Sequence, residues 1–134
     1  MAYGPDNSNG LIRNQVGWVK VPSGYRARFT YGSNAAWENA ACIYPQDSDN
    51  KLAEAGNYSR RLDIPYETNT NHTGNDIWYM VTGWHKQGRP DGGLPWVQSA
   101  VTTLNSNPDS PSYGFEDSGG QDYDDMVVNV DILD

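Results

Sequence analysis

Five carboxylates, Glu116, Asp117, Asp122, Asp124 and Asp125, fall within ten residues around the adjacent glycines Gly119 and Gly120. No Lys or Arg follows Arg89, so nothing nearby in the chain neutralises them. A chain folds around such a run only if the charges stay solvated or a cation gathers them. Hard oxygen donors at short, mixed spacing around glycines suit Ca2+, which takes about six to eight oxygens in a flexible cage. The next segment, Met126 to Leu133, is β-branched and predicts a strand with Val128, Val130 and Ile132 on one face. The acidic run therefore reads as a loop anchored on a core strand. A solvated turn is the competing reading, but these carboxylates alternate with glycines and abut an apolar strand. The candidate calcium ligands are Asp122, Asp124 and Asp125, with Glu116 and Asp117 next.

Upstream, turn residues break the chain at short intervals; the 14 Gly and 8 Pro are spread throughout. Tyr25 to Tyr31 alternates cleanly, with Tyr25, Ala27, Phe29 and Tyr31 facing one way and Arg26, Arg28 and Thr30 the other, which predicts a half-buried strand. Further strands are predicted over Leu11–Val21, Glu38–Tyr44, Asn57–Ile64, Ile77–Trp84 and Trp96–Leu104. The intervening stretches read as loops, and no helix is convincing. Short strands at this spacing indicate a single all-β domain over residues 1–134, an antiparallel β-sandwich or jelly-roll.

The net charge of -8 is concentrated: residues 90–134 carry nine acids and no base, and the remainder holds eight acids against nine bases. An acidic face of this kind argues against nucleic acid or an anionic membrane as partner. No apolar run approaches the roughly 20 residues that span a bilayer. The N-terminus has neither a basic start nor an apolar stretch, so no signal peptide is read there. Secretion by another route, a removed leader and a cytosolic location all stay open, with action outside the cell or at its surface expected. The single Cys42 excludes an internal disulfide and reads as a small buried hydrophobe in Ala40-Ala41-Cys42-Ile43.

At the acidic loop the chain resembles the calcium-dependent soluble lectins of bacteria, in two forms. Glu116-Asp117 and Asp122-Tyr123-Asp124-Asp125, followed by an apolar strand, resemble the calcium loop of the fucose/mannose-binding type, with Asp124 in place of Asn. Gly120 stands where that family has another bridging Asp, which implies one calcium where the family holds two. Val97 to Asn107 and Ser112-Tyr113-Gly114 resemble the penultimate strand and calcium loop of the galactose-binding type. There, Tyr31-Gly32 matches a Tyr-Gly whose carbonyl binds calcium. Gly-Phe-Glu-Asp before Gly-Gly-Gln-Asp-Tyr-Asp-Asp also looks like the ending of calcium-binding β modules in large bacterial surface proteins. The resemblance implies a lectin in which sugar hydroxyls reach the bound Ca2+ beside Asp124, Asp125 and Tyr31. It also implies adhesion through glycans and a homo-oligomer, because weak single sites gain strength by multivalency.

Trp84, His85 and Gln87 fall where a strong strand runs into a Gly/Pro loop, a place for a sugar platform. The competing reading puts Trp84 in the core and His85 on an exposed turn. Asn34, Asn75 and Asp76 flank strand ends and offer hydroxyl-binding groups, though turns favour such residues anyway. His72 is expected to face solvent, and two separated histidines make no zinc pattern. No catalytic motif is present. A glycosidase needs two carboxylates about 5 to 10 Å apart, one of them protonated, whereas a calcium loop keeps its acids ionised. An enzyme is therefore not expected.

Overall fold

The computed structural model describes residues 11–34, 38–57, 62–86, 96–116 and 125–134. Among them every regular element is a strand: β1 Gly17–Val21, β2 Arg26–Gly32, β3 Glu38–Pro45, β4 Ala53–Gly56, β5 Tyr66–Glu67, β6 Ile77–Lys86, β7 Val97–Gln98, β8 Ala100–Asn105, β9 Ser112–Glu116 and β10 Met126–Leu133. One sheet runs β1-β6-β3-β4, with β7 on the far part of β6, and the other runs β5-β2-β10-β9-β8. All pairings are antiparallel. The β-sandwich predicted from the spacing of turns is the observed architecture.

Period-two alternation builds the core between the sheets. Ala27 and Phe29 of β2 and Met126, Val128 and Val130 of β10 meet Val19, Val21, Ala41, Ile43 and Val81 of the facing sheet. Phe115 of β9 lies so close to Gly83 of β6 that a Cβ there would sit 2.3 Å from its ring. Gly83 is thus a packing requirement, since only a hydrogen leaves room for the ring. Losing an aromatic side chain at such a position costs about 3–5 kcal/mol.

A second core covers the outer face of the β1-β6-β3-β4 sheet. Val16, Cys42, Tyr44, Met80 and Trp84 cluster there, with Leu11 and Trp96 against them. Gln98 pins the covering segment: its Oε1 accepts from the Ile12 N–H, and its Nε2 donates to the carbonyls of Ile12 and Gln15. Both faces of β3 and most of β6 are buried as a result.

Several boundaries differ from expectation. The strand predicted from Leu11 starts only at Gly17, because residues 11–16 lie across the sheet instead of in it. The strand expected over Asn57–Ile64 lies earlier, at Ala53–Gly56; residues 62–64 form a turn, and 58–61 lie outside the described residues. Its Ala-Glu-Ala-Gly sequence has little β-propensity, and pairing with buried β3 decides it. The strand expected over Trp96–Leu104 is broken at Ser99, whose N–H donates to the Gly83 carbonyl. Tyr113 to Glu116, read as part of the acidic loop, is strand β9. Tyr25 falls outside β2 and is exposed.

Candidate functional site

The registers bring one set of strand ends together. Glu38 opposes Lys86 and Asn39 opposes His85, while β7 lies beside the same stretch of β6. In the other sheet Ala100 opposes Glu116, Phe115 opposes Met126, and Val127 opposes Gly32. At this end lie all the buried Asp, Glu, Lys and His residues described: Glu38, His85, Lys86, Glu116 and Asp125, each at most 9% exposed. Burying charge is unfavourable unless it is paired, hydrogen-bonded or coordinated, so their gathering here marks a polar centre built into one end of the sandwich.

The centre has two parts. On the outer face of β3 and β6, Lys86 Nζ lies 3.7 Å from Glu38 Oε1 and 4.9 Å from the centre of the Trp96 ring. One step along the same strands the side chains point between the sheets, and there His85 Nδ1 is bonded to Ser99 Oγ at 2.7 Å. Ser99 is fully buried, so its hydroxyl holds the imidazole and has no access to an outside molecule.

The second part is the junction of β9 and β10. Glu116 and Asp125 lie directly beyond the Phe115–Met126 pair, at the two ends of the acidic connection. Ser33 Oγ, from the chain just past β2, donates to the Asp125 carbonyl at 2.5 Å. That bond ties the β2 end to the start of β10. Two buried carboxylates are hard oxygen donors of the kind Ca2+ takes, though two side chains supply fewer than the roughly six to eight oxygens of a calcium cage. Asp117, Asp122 and Asp124 lie outside the described residues, and among those described no group of three or more His, Cys, Asp or Glu converges.

The other predicted site residues are distributed as follows. Trp84 is a core residue, its Nε1 donating to Thr82 Oγ1 at 2.6 Å, and its ring faces protein on the outer side of the sheet. His85 is buried, not on an exposed turn, and Gln87 lies outside the described residues. Ala27 turns both its N–H and its carbonyl toward Thr68, on the β5 side of β2. The strand repeat turns the Tyr31 carbonyl the same way. Asn34 lies at the polar end, whereas Asn75 and Asp76 precede β6 at the opposite end, and His72 is exposed. Glu38, Lys86, Ser99 and Trp96 were not singled out from sequence. Each is an ordinary polar or aromatic residue near a strand end, and only the long-range register pairs them.

No protein-family model and no curated protein matches the chain. Solved structures do match. The C-terminal domain of the BC2L-C lectin from Burkholderia cenocepacia aligns with a TM-score of 0.58 at 17% identity, over 86% of this chain and 93% of that one. The Chromobacterium violaceum lectin CV2L, in complex with alpha-methyl-fucoside, aligns with a TM-score of 0.56 at 18% identity, over 87% of this chain and 95% of that one. At these identities the likeness is one of fold.

Proposed function

We propose that this protein is a calcium-dependent lectin that binds glycans through sugar hydroxyls at a Ca2+ held by the connection between β9 and β10. The observation that carries this reading is the burial of Glu116 and Asp125 at the two ends of that connection. They are held by strand pairing and by Ser33, beside an acidic run no basic residue follows. The bound cation would supply open coordination positions for vicinal hydroxyls. Asp124 and Asp125 would accept hydrogen bonds from the same hydroxyls, with Asp117 and Asp122 completing the carboxylate set. The likeness in fold to two lectins over most of each chain supports the reading, and the sugar in the CV2L complex makes α-fucosides the first ligands to try. Small polar ligands bind weakly per site, so the working form is a homo-oligomer that gains strength by multivalency.

A glycan array read in calcium and again in excess chelator tests the proposal. Signal on a related set of fucosides, mannosides or galactosides that vanishes with chelator is the expected result and names the sugar. Silence in both, with a melting temperature that still rises with calcium, would make this a calcium-stabilised structural or adhesion module instead.

A further inference from the structure

Each sheet of a sandwich ends in two edge strands, whose outer sides carry N–H and C=O groups that another strand can pair with. Here the edges are β1 and β4 in one sheet and β5 and β8 in the other. Three of them are blunted. Lys20 stands exposed within β1, and the Tyr113 hydroxyl reaches across from β9 to donate to the Trp18 carbonyl at 2.5 Å. β4 has four residues, of which Ala55 and Gly56 are buried, and the Lys51–Glu54 ion pair stands at its start. β5 has two residues, and its Glu67 is engaged by Arg26 and Arg28.

β8 has none of these protections over most of its length. Its six residues, Ala100-Val101-Thr102-Thr103-Leu104-Asn105, include no charge, Pro or Gly, and Val101, Thr102 and Thr103 are β-branched. Among the described residues it pairs with β9 alone. Ala100, Thr103, Leu104 and Asn105 are exposed, Leu104 at 50%. The register shift against β9 falls between Thr103 and Asn105, which leaves Ala100 to Thr103 regular. An exposed, uncharged, β-branched edge is a template for a further strand.

Charge and symmetry decide which strand. An edge paired antiparallel with its own copy lies across a twofold axis, so the same residues serve both sides. At a net charge of -8 two copies repel overall, and β8 is a stretch along which no ionisable residue meets its like.

We propose that β8 pairs antiparallel with β8 of a second copy, joining the two five-stranded sheets into one continuous sheet. This gives the homo-oligomer of the proposed function its interface, and it rests on that reading for its purpose. Antiparallel pairing reverses the strands, so the two β9–β10 connections stand at opposite ends of the pair. Two sugar sites so placed bridge separate glycan-bearing surfaces.

Sedimentation equilibrium of the full chain, in chelator and without glycan, should show a reversible monomer–dimer equilibrium. Amide hydrogen exchange at rising protein concentration should show protection growing at alternate amides of Ala100 to Thr103, and not in β1, β4 or β5. Thr103→Lys, at an exposed position, should weaken association about fivefold or more, because it brings like charges together across the edge. Ala53→Lys on β4 should leave association unchanged. A chain that stays monomeric, a dimer equally tight in Thr103→Lys, or protection that grows on another edge would overturn the proposal. Should Thr103→Lys fail to melt cooperatively, the wild-type exchange map decides alone. Neither measurement uses calcium or sugar, so failure of the lectin reading on the glycan array and failure of this pairing are separate results.

Discussion

Glu38 and Lys86 face each other across the β3–β6 ladder with the carboxylate 2% and the ammonium side chain 11% exposed, 3.7 Å apart, under the ring of Trp96. Removing one partner from a buried pair typically costs about 3–5 kcal/mol. Lys86→Met is therefore expected to lower stability by that order in urea unfolding. The double variant Glu38→Leu with Lys86→Met should recover most of the loss. A double variant no better than the single one would show that the pair is not the unit that matters.

Calcium should act on stability through the junction of β9 and β10. A ligand that binds only the folded state, at about 100 times its dissociation constant, adds about 2.7 kcal/mol. The wild type is expected to show a calcium-dependent rise in Tm of the corresponding size, whereas Asp125→Asn and Glu116→Gln should show little or none. Asp131→Asn, exposed farther along β10, serves as the control and should respond like the wild type.

The contact between Gly83 and Phe115 has a sharper consequence for packing. Gly83→Ala places a methyl group 2.3 Å from the Phe115 ring, which cannot be accommodated without moving β9 against β6. Overpacking of this kind costs about 1–3 kcal/mol. Combining it with Phe115→Leu should give a smaller loss than the sum of the two single variants, measured by denaturant midpoint. Simple additivity would count against direct contact.

Alkaline pH offers a test of Tyr31. Burial, with smaller effects from Cys42 and Tyr66, raises its pKa in the folded chain above the ordinary value of about 10. The folded state thus holds the proton more tightly than the unfolded state. The associated stability is complete below about pH 10 and falls as pH rises above it. Tyr31→Phe should show a shallower decline in urea midpoint above pH 10 than the wild type. Parallel declines would mean that this phenol does not control the alkaline limb.

Much of the fold was legible because period-two alternation survives wherever one face is buried and the other wet. β2 and β10 could be read for that reason: Ala27 and Phe29, or Val128 and Val130, alternate with polar residues. β4 was misplaced because its small residues advertise nothing. They are a strand only because β3, itself buried on both faces, needs a partner on that side. β9 was hidden inside the acidic run, since Gly-Phe-Glu carries no alternation and its pairing with β8 and β10 is long-range.

For the candidate site the division is similar. A run of carboxylates around glycines is a local pattern, and charge repulsion makes it meaningful before any folding is known. Glu38, Lys86, His85 and Ser99 are separated in sequence by up to about 60 residues, and no local rule links them. By itself the sequence determined that this chain makes a β-sandwich and carries an acidic glycine loop ahead of its last strand, because alternation, turn chemistry and charge density act between near neighbours. Only the tertiary structure decided which strand ends meet and which charges are buried. Those outcomes depend on strand register and sheet packing, which are settled between residues far apart in the chain.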